Sequence, residues 1–242
     1  MLLVYPLVVA LVCALFGYGT LRQYLERRRP HQLLWTVSLA MGFLGAVGYL
    51  LALRTASLAW FRIYYLFGAM LMAAYLGLGS LFLHDRGGRW SRPIFWLVLL
   101  LSLAGAVALF RTPGDAAAVA RLDGGPGTQV LALDRNPAAL VLLILLNTFG
   151  LVAVAGLALL SAWQLSRKQA SGAFTQGNAL IALGTILLGA AGSLARLGQP
   201  AWFWPLMALG FVVLYGGFAR VNAAAGAARQ ATAGPAAPGT GR

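Results

Sequence analysis

Seven runs of apolar residues divide the chain, each close to the ~20 residues a helix needs to cross a hydrocarbon core. They cover Leu2–Thr20, Leu33–Leu53, Ala59–Leu83, Ile94–Phe110, Ala138–Trp163, Ala179–Ala195 and Ala201–Ala219. The arginines fall mostly between the runs. Backbone groups in lipid have no water to bond, so each run must satisfy its own amides and carbonyls as a helix. The pattern predicts an all-α membrane protein, a bundle of seven transmembrane helices.

One stretch of this pattern occurs twice. Leu44–Gly68 reads LGAVGYLLALRTASLAWFRIYYLFG, and Leu188–Gly210 reads LGAAGSLARLGQPAWFWPLMALG. In both, LGA-x-G is followed by an arginine (Arg54, Arg196), then five residues later by Ala-Trp-Phe, and a glycine (Gly68, Gly210) falls eight residues after the tryptophan. A two-residue gap aligns the copies. LGA-x-G alone would recur by chance in any membrane helix; the arginine-to-tryptophan spacing carries the duplication. The expected plan is a parallel 3+1+3 repeat. Repeat one is residues 1–83, a connector helix 94–110, an outer loop 111–137, and repeat two 138–221. Because the connector reverses direction once, both trios enter the membrane from the same side, as in some transporters.

Composition agrees with this class. The chain is 60% hydrophobic and 10% charged, where soluble domains carry about 25% charged residues. The net charge of +13 does not point to nucleic acid, because the arginines lie between spans instead of along one solvated face. Twelve basic residues, among them Arg22, Arg27–Arg29, Arg86, Arg89, Arg92, Arg167 and Lys168, fall on one side of the membrane and six on the other. By the positive-inside rule the richer side is cytoplasmic, so the N-terminus is out and the C-terminus in. The first span lacks a basic n-region and a small-residue cleavage site, so it reads as a span and not a cleaved signal. All seven tryptophans sit at span ends, as an interfacial belt predicts. In the outer loop, Val119–Leu122 suggests a helical turn and Gln129–Leu133 an extended segment. The Ala-, Gly- and Pro-rich residues 222–242 read as a disordered cytoplasmic tail. These features place the chain in a bacterial inner membrane as a multi-pass protein. Its surroundings are the bilayer and, on the cytoplasmic side, anionic lipid headgroups.

The 3+1+3 plan resembles that of the SWEET sugar transporters and the nicotinamide-riboside transporter family, which also arrange seven spans in two parallel units. The likeness is one of topology along the whole chain. The Pro-Gln pair typical of the PQ-loop relatives is absent; Gln199-Pro200 is reversed and lies in an outer loop. In texture the chain is also similar to uncharacterised seven-span bacterial proteins. Neither resemblance carries a residue role.

Candidate chemistry lies on two small, polar helix faces. At 100° per residue, Arg62, Tyr65, Ala69, Ala73, Leu76, Gly77 and Ser80 share one side of the third span. In the sixth, Asn178, Ala182, Thr185, Gly189, Gly192, Ser193 and Arg196 do the same. In the second, Ser38, Gly42, Gly45 and Gly48 lie on nearly one side. Three readings stand side by side. The faces pack helix on helix, as small residues commonly do in membranes. Or they line an outward-opening cavity in which Arg62 and Arg196 hold an anion. Or the arginines snorkel to lipid phosphates, a role that suits Arg62 near the interface. Asn147, deep in the fifth span with Thr148, must face the bundle to find a partner. The candidate ligand-binding set is Arg62, Tyr65, Asn147, Thr185, Ser193 and Arg196.

Absences narrow the function. No Asp or Glu lies inside a span, which disfavours proton- or sodium-coupled transport. The one lysine, Lys168, is in a cytoplasmic loop, so a retinal Schiff base is excluded. His31 and His84 fall in cytoplasmic loops, and no zinc motif, phosphate loop or nucleophile–base pair is present; neither metal nor cofactor is expected. An intramembrane enzyme lacks its acid–base groups. Two functions remain: a transporter or small-molecule- or lipid-binding protein, or an accessory or sensory subunit docking a partner membrane protein.

Overall fold

The computed structural model describes residues 3–85, 87–122, 125–167 and 172–233. It is a bundle of seven helices, each long and apolar enough to cross a membrane. They are α1 (Val4–Arg27), α2 (Pro30–Thr55), α3 (Leu58–His84), α4 (Ser91–Arg111), α5 (Pro137–Arg167), α6 (Gly172–Arg196) and α7 (Phe203–Ala233). Most outrun their apolar runs, because a helix does not stop where hydropathy falls. The extension of α7 replaces the expected disordered tail over residues 222–233, where an alanine-rich stretch has high intrinsic helix propensity. Residues 234–242 lie outside the described residues, as do Arg86, Asp123 and Lys168.

The connections show why the helices end where they do. Arg28 takes a left-handed conformation (φ 52°) and its N–H closes on the Tyr24 carbonyl, ending α1. Pro30 then opens α2, at a position where its missing N–H costs nothing. Asp85 follows α3 and accepts from the backbone N–H groups of Trp90 and Ser91, both at 2.7 Å, so it caps the start of α4. Those two donors hold its carboxyl below the usual carboxylate range.

Six helices close a ring in the order α1, α2, α3, α5, α6, α7, and α4 packs outside it against α3 and α5. Only 22% of the apolar window of α4 is buried, against 61% for α3, so α4 is peripheral and α3 central. The neighbour order reads the same when α1–α2–α3 is exchanged with α5–α6–α7.

The loop between α4 and α5 is folded over one end of the ring. Val119, Leu122, Val130 and Leu131 are buried. A short helix occupies Ala116–Ala120, capped by Asp115. Within Gln129–Leu133 only Leu131 pairs as a strand would, bridging to Gly114. Gly127, at φ +70°, lies so close to the Phe61 ring that a side chain there would clash. Tyr49 and Tyr64 donate hydroxyl hydrogen bonds to the Gly125 and Pro126 carbonyls, at 2.6 and 3.2 Å. This loop end of the bundle faces away from the end carrying Arg28, Arg89 and Arg167.

Two expectations about single residues need correction. Trp60, Trp90, Trp96, Trp163 and Trp202 are exposed, as a belt requires, but Trp204 is 2% exposed and stacks on Tyr49 at 4.5 Å. Trp35 packs over Gly79 and against Phe218. Both rings fill gaps between helices instead of anchoring in headgroups. His31 and His84 belong to helix ends, not loops: His31 is buried in the first turn of α2. His84 Nδ1 donates to the Ser80 carbonyl and its Nε2 bonds Ser161 Oγ, each at 2.9 Å, joining α3 to α5.

Candidate functional site

The centre of α3 departs from α-geometry. Tyr64–Leu71 wind as a π-helix, and the Met72 N–H reaches back five residues to the Phe67 carbonyl. A π segment places one more residue in each turn, so residues beyond it rotate relative to an α-helical projection. Side chains of neighbouring helices bond a carbonyl within it and one just after it. Asn147 Nδ2 of α5 donates to the Ala69 carbonyl at 2.7 Å and to Leu143 of its own helix at 2.8 Å. Ser38 Oγ of α2 donates to the Met72 carbonyl at 2.7 Å. π-Bulges inside helices are found disproportionately at functional sites.

Beside this segment lies a cavity of about 310 Å³ between α3, α5, α6 and the start of α7. Leu143, Ile144, Val154, Leu188, Phe203 and Met207 give it a largely apolar wall. Pro126 and Thr128 of the folded loop lie over it. Among the described residues Arg196, the last residue of α6, is the one charged side chain in the lining.

Five of the six candidate residues meet here: Tyr65, Asn147, Thr185, Ser193 and Arg196. Each is placed by its own bonding. Thr185 and Ser193 spend their hydroxyl protons on the carbonyls four residues back, Ile181 and Gly189. Both amide protons of Asn147 are likewise engaged, so its Oδ1 acceptor is what it can offer a ligand. Among the candidate residues, donors for an anion therefore come from Arg196 and the Tyr65 hydroxyl.

Arg62 goes elsewhere. Its Nη2 donates to the Thr112 carbonyl at 2.9 Å, and its guanidinium lies 5.9 Å from the Phe110 ring centre. It thus closes the C-terminal end of α4, where free carbonyls attract a cation. The projection that put Arg62 beside Ala69 assumed 100° per residue throughout, and the π-helix between them breaks that phase.

The small-residue faces divide by height. Gly77 and Ala73 of α3 both meet Gly150 of α5 directly, Ala73 at the cavity's edge, whereas Ala69, nearer the loop end, borders the cavity. On α2, Gly45 lies against Gly68 and Gly48 against the Tyr64 N–H, so this face is packing alone. The π-helix, the roofing loop and the tyrosine cluster were not foreseen, although the tyrosines themselves were conspicuous. No protein-family model, no curated protein and no solved structure matches the chain.

Proposed function

We propose that this membrane protein binds an organic anion in the α3–α5–α6 cavity, as a carrier or as a binding protein, without an intramembrane carboxylate. The observation that supports it most is the pairing of Arg196 with a largely apolar wall that carries a few polar groups, Tyr65, Asn147, Thr185 and Ser193. Such a pocket suits a molecule with an apolar body and a single acidic group, since a few placed polar groups set orientation while apolar walls supply affinity. Arg196 is the fork that would hold a carboxylate, sulfonate or phosphate ester. The excess of arginine at the end opposite the loop supports a cytoplasmic placement of that end, which puts the cavity's arginine near the outer face. The shared neighbour order of the two trios supports a parallel repeat.

Equilibrium binding of carboxylates, sulfonates and phosphate esters to the purified protein tests this reading, with proteoliposome uptake separating carrier from binder. At least one class should bind the parent and bind Arg196→Ala more weakly. Failure of every class to bind the parent, or equal binding by Arg196→Ala, contradicts it.

A further inference from the structure

We infer that the ligand is a single-chain anionic amphiphile, of the fatty-acid kind, that reaches the cavity sideways from the bilayer through the seam between α5 and α6. This rests on the anion site proposed above and adds its substrate class and its route.

A groove runs along the outside of that seam and shares Leu151, Gly189 and Ser193 with the cavity. Its rims, Val152 and Ile186, are 63% and 49% exposed, so it faces the membrane. The seam is open at two of its glycines and closed at a third by a side chain. A Cβ at Gly156 or at Gly192 would meet nothing within 4 Å, whereas one at Gly189 would press on the Leu151 side chain, its nearest neighbour, at 3.1 Å. Between groove and cavity stands a flexible leucine, which can change rotamer without moving backbone. The neighbouring seam is different: α6 packs more extensively on α7, where Gly184 and Gly210 approach each other's helix backbone.

The order of groups down α6 matches an amphiphile already oriented in a leaflet. Arg196 sits at the helix end, Ser193 one turn below it, and Gly189 and Ile186 lower still. At 1.5 Å per residue the step from Arg196 to Ile186 is about 15 Å, enough for an acid group at the interface and a chain lying along the seam. No inversion of the molecule is needed. The cavity volume of about 310 Å³ is at the low end for ligand pockets, which favours one chain over two. The loop over the cavity, tied to α2 and α3 through Tyr49 and Tyr64, obstructs the alternative path along the bundle axis.

The test uses full-length protein in phosphatidylcholine nanodiscs containing diazirine-labelled palmitic acid. After photolysis, adducts are mapped by peptide mass spectrometry, with the lipid-facing residues Leu100 and Leu103 of α4 as the background. Adducts should concentrate on residues 143–156 and 185–196. They should fall about tenfold, a change of ~1.4 kcal/mol, in Ala190→Trp and in Gly156→Trp, which fill the groove from opposite helices. Diacyl phosphatidylglycerol carrying the same label should give less cavity adduct than palmitate; equal labelling overturns the single-chain assignment. Undiminished cavity labelling in both tryptophan variants, with loss in Arg196→Ala, overturns the lateral route and leaves the anion site standing. Cavity adducts at the α4 background in the parent overturn the inference. If an organic anion still binds in an Arg196-dependent way, the site survives that result, and if none does, both fall together.

Discussion

On the side of α6 toward α7, Gly177 and Gly184 let backbones touch: Gly177 lies against Gly217, and Gly184 against Gly210 and the Leu214 N–H. On the side toward α5, the nearest atoms to a Cβ at Gly189 belong to the Leu151 side chain, not to backbone, and one at Gly192 has nothing within 4 Å. The same residue type closes one seam and leaves the other open. A second contrast runs across the ring. Where α7 crosses α2 and α3, Tyr49, Tyr64 and Trp204 fill the space, with ring centres 4.5 to 6.0 Å apart. At the position equivalent under exchange of the trios, where α3 approaches α6, there is the cavity instead. Small residues therefore permit either close packing or a void, and the facing helix decides which.

The sharpest way to break this contrast is to overfill a closed seam. In Gly45→Leu the new Cβ would come 2.6 Å from the Gly68 Cα, backbone against backbone. Overpacking of this kind costs ~1–3 kcal/mol or more, so thermal unfolding in detergent should show a large loss of stability. Gly192→Ala, in open space, should be neutral or gain up to ~1 kcal/mol from helix propensity. Equal effects at the two sites would remove the distinction.

How far the residues alone foretold this can be judged from the same helices. The seven spans were legible because hydropathy and length suffice when lipid forbids unsatisfied backbone. Five of the seven residues projected onto one face of α6, Thr185, Gly189, Gly192, Ser193 and Arg196, line the cavity, because α6 is a regular α-helix from Gly172 to Arg196 and 100° per residue holds there. The face of α3 was only partly legible. Its π-helix is maintained by contacts from other helices, Gly45 on Gly68 and Asn147 on the Ala69 carbonyl, and nothing local announces them. Trp204 was misplaced for a related reason: its position at a span end fits a belt, but Tyr49, 155 residues earlier in the chain, claims its ring.

The arginines sharpen the comparison next. Removing a hydrogen bond to a charged group costs ~1.5–3 kcal/mol, so Arg196→Ala should weaken binding of the responsive anion by roughly ten- to a hundredfold. Arg62→Ala should leave that affinity unchanged while loosening the α4 end at Thr112, read as faster amide exchange around residues 109–112. A loss of affinity in Arg62→Ala would return that residue to the site.

Tyr49→Phe removes the hydroxyl that reaches the Gly125 carbonyl. The expected loss is about 1 kcal/mol, concentrated in the roofing loop, which should be cut faster by protease between residues 111 and 137. The smallest effect is at Asp85, which is partly exposed. Its carboxyl is held below its ordinary value in the folded chain, so its contribution to capping α4 is complete above that value. The contribution is lost as pH falls through the lowered one. Amide exchange at Trp90 and Ser91 should be slower in the parent than in Asp85→Ala at neutral pH, and the two should converge in strong acid. A difference that persists at low pH would separate the cap from the carboxylate.

The open face of α6 is tested most directly by thiol accessibility. With Cys13→Ser as background, Gly192→Cys and Gly184→Cys are exposed to a small membrane-permeant methanethiosulfonate. The Gly192→Cys thiol should react and should be shielded when palmitate is present, while a folded Gly184→Cys protein should stay unmodified. An inert thiol at position 192 in the folded protein would contradict the cavity and everything proposed for it.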